Sequence, residues 1–449
     1  MAAAKSEAPV RHPVDELPSP WRLLAGGLQH IAAMVAGVVA PPLIIGAAVG
    51  LNHADQAMLI TASLFSAGLA TLLQSLGWWR FGSRLPLMNG ASFAAVAPVL
   101  AIVKTSSPGS ALPAVYGATL VAGVLATLAA PYFSRLRRFF PPVVGGTVIT
   151  LIGLSLLPVT LNWVRGEGAG AGAPVPMRNL LIAGVSLLSV LACHRFLRGF
   201  AKQLSLLIGL VVGSLAAWPL GLVDTAPLRG AAVAGFVPPM HFGAPQFQIG
   251  AIVTMAIVML VVMTESTATM MALGEIVERP ADERTIADGL RAVGVGTAVS
   301  AVMGGFACSA FAQNVGLVAL CRMYSRYIVA ASGALLVLLG LFPVASGVVE
   351  LVPKPVLGGA GLVLFGTVAA GGIRTLARAD LADPVNSLIV GVSLFIGMTP
   401  TVVPSFYEGL PGPLATIMGS GISAGCLTAI VLHQVFRLRA RVAGAAVNP

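Results

Sequence analysis

Charge is what this chain has least of. Only 9% of its 449 residues are Asp, Glu, Lys or Arg, where a soluble domain spends about a quarter of its residues on charge. So few ions cannot cover a fold against water, which excludes an ordinary soluble enzyme or binding module. Cysteine is scarce too. Cys193, Cys308, Cys321 and Cys426 stand apart, without the spacing of a disulfide framework or a zinc site, and read as small hydrophobes in or beside apolar runs. Aromatics make up 6% of the chain and do not alternate with basic residues, so the net charge of +10 does not mark a nucleic-acid surface. There is no Walker lysine motif or dinucleotide loop, and the six histidines form no ligand cluster. Ser266 and Thr267 have no partner base. No enzymatic activity, metal or organic cofactor is therefore expected. The first twenty residues hold four prolines and several charges but no apolar core, so no cleavable signal peptide is expected either.

What the chain does have is apolar length. It is 57% hydrophobic with a mean hydropathy of +0.92. Long apolar segments recur from Trp21 to Phe436, parted by Pro, Gly or basic clusters. A helix satisfies its own backbone groups in lipid, so this pattern predicts an all-α polytopic membrane protein. The expected spans are 22–49, 56–76, 88–103, 112–131, 142–161, 179–194, 203–220, 249–274, 285–303, 310–321, 327–345, 355–373, 384–400 and 412–436. With both termini inside, 21 of the 26 basic residues fall on cytoplasmic segments, Lys5, Arg11, Arg135, Arg137 and Arg138 among them, and five, including Arg229, fall outside. That bias has the sign expected of a chain in the plasma (cytoplasmic) membrane, and one span more or fewer would scramble it. The Pro-rich stretch between Leu220 and Ile249 reads as an external loop.

Two spans are short and interrupted. One opens with MNGASFAAVAP from Met88, and the other is preceded by GGFACS from Gly304. Gly, Ser and Pro there predict non-helical backbone leading into a half-helix, which is tolerated at membrane depth only where protein or a cavity buries it. Matching interruptions in two halves point to a transporter's binding site. The halves do match: PVVGGTVITLIG (Pro142–Gly153) and PVLGGAGLVLFG (Pro355–Gly366) share six of twelve residues at an offset of 213. An offset of seven spans is odd, so the second copy must be inverted, giving a 7+7 inverted repeat.

The polar residues gather in these places. Glu265 lies within an apolar span, and an embedded carboxylate is a functional-site candidate by default. It either contacts ligand and exchanges a proton with it, or clamps helices together. Gln313 and Asn314 open the second half-helix, where free backbone N–H groups favour an anion or a polar carbonyl. Gln313 can pair with the N–H/C=O edge of a purine-dione or pyrimidine-dione ring, while Asn314 either joins it or holds the broken backbone. Ser92, Phe93 and Ala94 occupy the matching bend of the first half, with the Phe93 ring either stacking on a ligand or packing in the core. His30, beside Gln29 in the first span, either orients Glu265 or makes a structural hydrogen bond. Asp288 either pairs with Arg284 or Arg291 as an anchor or reaches the transport core. Asn386 reads as a helix-to-helix hydrogen bond.

These motifs resemble the nucleobase–ascorbate transporter family, also called nucleobase:cation symporter family 2, in its xanthine/uric acid permease-like branch. QNVGLVALCR (313–322) looks like the family signature, and LQHIAAMVAG, RLPLMNGASFAAVAP, ESTATMMALGEI, ADG and DPVNSLIVGVSLFIGM also match. The resemblance implies a core domain of spans 1–4 (22–131) and 8–11 (249–345). It also implies a gate domain of spans 5–7 (142–220) and 12–14 (355–436), flanked by cytoplasmic tails 1–21 and 437–449. Broken spans 3 and 10 would hold substrate beside span 8, and the gate domain would form a homodimer within membrane lipid. Glu265 and Gln313 become the purine-recognition pair, Asn314 and His30 supporting residues, and Asp288 a charge important to transport, with the backbone around Phe93 completing the pocket. The Gln form of the signature resembles xanthine and uric acid carriers more than uracil carriers. Ala268 and Thr269 stand where many relatives have Gly-Asp, Ala307 where Pro is common, and Cys321 where Thr is usual. The expected function is proton-coupled import of uric acid and/or xanthine by alternating access. The alternatives are uracil or another nucleobase on the same fold, or a receptor that does not transport.

Overall fold

In the structure, a computed structural model, residues 12–107, 109–133, 141–166, 174–225 and 235–447 are described. Lys5, Arg11, Arg135, Arg137, Arg138 and Arg229 lie outside them. The chain folds as packed helices. In order these are α1 (Pro20–Val49), α2 (His53–Leu76), β1 (Asn89–Ala91), α3 (Val96–Thr105), α4 (Ala111–Ala129), α5 (Pro142–Ser155), α6 (Leu157–Arg165), α7 (Met177–Phe196) and α8 (Ser205–Ala217). The second half runs α9 (Ile249–Ile276), α10 (Glu283–Met303), β2 (Cys308–Ala310), α11 (Ala312–Cys321), α12 (Arg326–Leu339), α13 (Pro343–Glu350), α14 (Lys354–Leu376), α15 (Pro384–Val402), α16 (Gly412–Gly419) and α17 (Gly421–Val447).

Local chemistry sets the helix ends. Asn52 Oδ1 accepts from Asp55 N at 2.9 Å to cap α2, and Asp282 Oδ1 accepts from Thr285 N at 2.8 Å to cap α10, each replacing a missing intrahelical acceptor. Gly304 closes α10 with φ +85°, a left-handed conformation that glycine adopts without steric cost.

Among the described residues, nine helices are long and apolar enough to cross a membrane, and five apolar helices are shorter. This is an integral, polytopic, all-helical architecture apart from one pair of three-residue strands. Fourteen uninterrupted spans are not seen. The span expected over 142–161 divides at Leu156 into α5 and α6, that over 327–345 becomes α12 and α13 with a break at Gly340, and that over 412–436 divides at Ser420. Pro158 and Pro343 lie just inside the segments that follow two of these breaks, where their missing N–H groups are harmless. The last helix runs on to Val447, into what the sequence suggests is a tail. Asn386 donates to Asp380 O at 2.9 Å just before its own helix, a local bond rather than the expected one between helices.

Small residues bring the helices together. α2 packs along α12, and α4 along α10. In the first pair Gly68 faces Gly333, and in the second Gly123 faces Gly294. A Cβ placed on Gly68 would lie 2.7 Å from Gly333 O, and one on Gly294 would lie 2.8 Å from Gly123 O. α5 packs along α14 in the same way, with Gly153 against Phe365 O and Ala369 N. Without a hydrophobic force between helices in lipid, such close backbone approach is what gains dispersion energy.

The two strands lie at the centre. They pair antiparallel in the register Asn89↔Ala310, Gly90↔Ser309, Ala91↔Cys308, with all six residues buried. Phe311 N donates to Met88 O at 2.9 Å and Ser92 N to Ala307 O at 2.8 Å, extending the ladder at both ends. Each broken segment thus satisfies the backbone of the other, as a dry interior requires. A Cβ on Gly90 would stand 2.8 Å from both Phe311 Cε2 and Val38 Cγ2. Gly90→Ala should therefore overpack this crossing and cost ~1–3 kcal/mol, read as a lower unfolding midpoint of the detergent-solubilised protein. An unchanged midpoint would show that the crossing has slack.

Candidate functional site

The crossing positions the polar residues. From β1 the chain passes through Ser92 and a 3₁₀ turn (Phe93–Ala95) into α3, and from β2 through Phe311 into α11. Hydroxyls from neighbouring helices fix both strands. Thr71 Oγ1 accepts from Asn89 N and donates to Asn89 O, both at 3.0 Å. Thr297 Oγ1 accepts from Cys308 N at 3.0 Å, and Ser266 Oγ accepts from Ala310 N at 3.3 Å. Thr71 and Thr297 escape notice in the sequence, and Ser266 is weighed there only as a nucleophile, because a lone hydroxyl in an apolar helix usually bonds back to its own backbone. Thr71 meets β1, and Thr297 and Ser266 meet β2, across distances in sequence that carry no local signal.

α9 packs against β2, α11 and the Phe93–Ala95 turn, so Glu265, Gln313 and the first-half bend belong to one neighbourhood. Ser266, bonded to β2, is the next residue to Glu265, and Gln313 follows β2 by three residues. Glu265 is half-buried and Gln313 exposed. Neither side chain has a hydrogen-bond or ion-pair partner among the described residues. Their accessibility continues along both elements, through Ala268, Met271 and Ala272 on α9 and through Gly316, Ala319 and Leu320 on α11. The open side of the site thus faces the ends of α9 and α11 that lead to Arg279 and Arg322. Thr269, where the family resemblance leads one to expect an acid, donates its hydroxyl to Glu265 O at 2.8 Å. It supplies no second carboxylate.

His30 and Asn314 are fully buried together. Asn314 Nδ2 lies 3.0 Å from His30 O and 3.0 Å from His30 Nδ1. Only an NH₂ group can serve a carbonyl, which assigns the amide orientation and makes Nδ1 an acceptor. The imidazole is then neutral with its proton on Nε2. This hydrogen bond ties α1 to the start of α11. The Asn314 side chain bonds only to His30 of α1, and its Oδ1 is buried without a hydrogen-bond partner among the described residues. Ser92 and Ala94 are buried, with Ser92 Oγ unpartnered. Phe93 is half-buried and meets Phe365 of α14 edge to face, ring centres 5.4 Å apart.

Asp288 is not grouped with these residues. It pairs with Arg291 one turn on and with Arg284 Nε at 3.9 Å, while its carbonyl accepts from Gly82 N at 2.8 Å. That is the anchor reading. Cavities of about 340, 540 and 780 Å³ open at the other end of the molecule, around Arg178, Lys104 and Lys354, and neither Glu265 nor Gln313 lines them. Size alone is a poor guide to this site. The site is found instead by convergence of half-helices and unpaired polar groups. Cys308 and Cys426 are buried as read, whereas Cys193 and Cys321 are half-exposed. No group of three or more potential metal ligands occurs among the described residues.

Comparison with known proteins places this geometry. A family described as "Permease family" (Xan_ur_permease) matches residues 22–406. The uric acid transporter UacT of Escherichia coli K12 is 42% identical over 428 residues, covering 94% of this chain and 88% of that protein. The xanthine permease of Bacillus subtilis is 38% identical over 417 residues, covering 93% and 94% respectively. Among solved structures, the transmembrane domain of BicA, a cyanobacterial bicarbonate transporter, superposes with a TM-score of 0.61 at 17% identity, covering 89% of this chain and 98% of that one; at that identity the likeness is one of fold. Broken strands, half-helices and signature thus agree with sequence kinship, and the chain belongs to this permease family, nucleobase:cation symporter family 2, in its xanthine/uric acid permease-like branch.

Proposed function

We propose that this protein imports an oxidised purine, uric acid and/or xanthine, together with protons by alternating access. The observation that carries the reading is a half-buried carboxylate and an exposed carboxamide, Glu265 and Gln313, without hydrogen-bond or ion-pair partners among the described residues, beside two half-helices whose buried backbone is already paired. A dione ring offers Gln313 an N–H and a C=O together, and Glu265 accepts a further N–H. Asn314 and His30 fix the recognition half-helix, and Ser92, Phe93 and Ala94 form the opposing wall. Asp288 serves transport through the arginine cluster, without touching substrate. The relatives named for uric acid and xanthine support this substrate class, and the Gln form of the signature favours it over uracil. As a member of a permease family the chain is a carrier rather than an enzyme.

The seven-plus-seven inverted repeat belongs to the same reading. The five shorter apolar helices fall on the five expected spans without a long helix. Packing also repeats after a shift of seven. Segments two and eleven (α2, α12) pack as nine and four do (α10, α4), one and eleven (α1, α12) as eight and four (α9, α4), and six and seven (α7, α8) as thirteen and fourteen (α15, α17). Core segments 22–131 and 249–345 would then move against gate segments 142–220 and 355–436, with the gate forming a homodimer and both termini in the cytoplasm. The accessible track along α9 and α11 leads to the basic, cytoplasmic end.

The test is uptake by proteoliposomes under an imposed pH gradient, with urate, xanthine, uracil and ascorbate in competition. Uptake of radiolabelled urate or xanthine should rise with an inward proton gradient, and uracil should compete weakly. Binding without gradient-stimulated uptake would favour the receptor, and preferred uptake of uracil would reassign the substrate.

A further inference from the structure

Residues 12–16, ahead of α1, are bound to the molecule. His12 Nδ1 accepts from Val14 N at 3.3 Å, Asp15 N donates to His12 O at 2.8 Å, and the 3₁₀ turn Pro13–Asp15 buries Val14 completely. The sequence reads 1–21 as a tail, because one apolar residue among prolines and charges carries no periodic signal. Its burial fixes the next residue, Asp15, over a junction of two loops. Asp15 Oδ2 lies 2.9 Å from Arg279 Nη1, in the loop between α9 and α10. Asp15 Oδ1 lies 2.8 Å from Arg326 Nε, at the start of α12. That Nε–H points off the oxygen, so the second contact is an ion pair and not a hydrogen bond. Beside it, Ser325 Oγ donates to Glu16 O at 2.6 Å while accepting from Tyr327 N at 3.2 Å to cap α12. Arg326 Nη1 also donates to Leu76 O at 2.9 Å, tying in the end of α2.

Arg279 stands three residues beyond the end of α9, which carries Glu265. Ser325 and Arg326 stand four and five residues beyond the end of α11, which carries Gln313. The chain leaves each helix through a non-glycine residue in the left-handed region, Glu278 at φ +57° and Arg322 at φ +51°. Such residues keep that conformation only where their surroundings hold it. Backbone bonds from Glu278 N to Glu275 O at 3.3 Å and from Arg279 N to Gly274 O at 2.9 Å close the first turn, and the loops that follow both helices meet at the Asp15 carboxylate, through Arg279 and Arg326.

We propose that Asp15 is a positioning residue for the transport site, a shared anchor that keeps the ends of α9 and α11, and so Glu265 and Gln313, in register. The proposal rests on the reading of those two residues as the substrate pair. Asp15 lies at their far ends and does not touch substrate. Its ion pairs are partly exposed, with side-chain accessibilities of 34% for Asp15, 42% for Arg279 and 16% for Arg326, so losing them should loosen the loops without unfolding the protein.

Cys321, the last residue of α11, is half-exposed and reports on that end, while Cys193 on α7 serves as an internal reference. The full-length protein in detergent is treated with N-ethylmaleimide, and the alkylation of each cysteine is followed by peptide mass spectrometry. In Asp15→Asn the rate at Cys321 relative to Cys193 should rise at least about threefold, as expected for losing an ion pair of this exposure. Asp15→Glu, which keeps the charge, should restore much of the protection. In uptake, KM for urate should rise about as much in Asp15→Asn while the unfolding midpoint barely moves. Arg279→Gln, which releases only α9, should raise KM and leave Cys321 protected. If Asp15→Asn fails to accumulate, Arg326→Gln removes the same ion pair and should likewise expose Cys321. An unchanged Cys321/Cys193 ratio in the accumulating variant overturns the proposal, whatever uptake does. Absence of purine uptake by the unmutated protein instead defeats the substrate reading, and the alkylation result stands apart from it.

Discussion

Glu265→Gln should abolish gradient-driven purine uptake while the protein still folds. The two side chains have nearly the same shape, and the carboxylate has no protein partner to lose, so the unfolding midpoint should move by less than the equivalent of about 1 kcal/mol. What disappears is charge. A carboxylate in an apolar surrounding takes a proton when nothing donates to it and gives the proton up when donors arrive, so ligand and proton occupancy are linked. An amide cannot make that exchange. It also forfeits the charge-assisted part of any bond from a ring N–H, where bonds to charged groups are worth ~1.5–3 kcal/mol, or about ten- to 150-fold in affinity. The measurement is urate or xanthine accumulation with and without an inward proton gradient, beside equilibrium exchange of labelled substrate. The variant should show residual exchange at best and no response to the gradient. A normal pH response would take proton coupling away from Glu265. With Thr269 bonded to its own helix, no neighbouring acid on α9 would be ready to replace it.

Gln313→Ala should produce the second large effect, chiefly on recognition. The side chain is exposed and unbonded, so its removal breaks no contact within the protein and leaves α11 a good helix former in its place. Bound substrate, however, would lose a donor and an acceptor at once and bring two polar groups into the site unpaired. Losing the bonds and leaving the groups unsatisfied together cost ~2–4 kcal/mol, a rise of about 30- to 1,000-fold in KM. The loss should be selective, with urate and xanthine suffering most because the dione edge needs both functions of the carboxamide. Competition curves for urate, xanthine and uracil would show this. Retention of wild-type affinity for both purines would end the recognition assignment.

The sequence discloses the interruptions at Met88 and Gly304, because clustered Gly, Ser and Pro are local signals of non-helical backbone. It discloses Glu265 and Gln313 too, since polarity in an apolar run needs no partner to be noticed. The partners themselves were not legible. Pairing of Asn89 with Ala310 spans more than two hundred residues, and nothing in either triplet names the other. The roles of Thr71, Thr297 and Ser266 are hidden for the same reason: their importance lies in the strand they meet. His30 and Asp288 each have two readings that turn on which neighbours the fold supplies; the contacts present are Asn314 for His30 and Arg284 and Arg291 for Asp288. Helix breaks at Leu156, Gly340 and Ser420 were hidden inside continuous apolar runs, where hydropathy is blind to geometry. Asp15 was least visible of all, because an acid among prolines near a terminus looks solvated until a fold brings two arginines over it.

The antiparallel pairing at the centre also bears on biogenesis. Residues 89–91 enter the bilayer long before 308–310 are synthesised, and until then their backbone groups have hydrocarbon, other protein or water around them but no strand. A chain cut short before Cys308 therefore lacks the strand that pairs this edge in the finished fold.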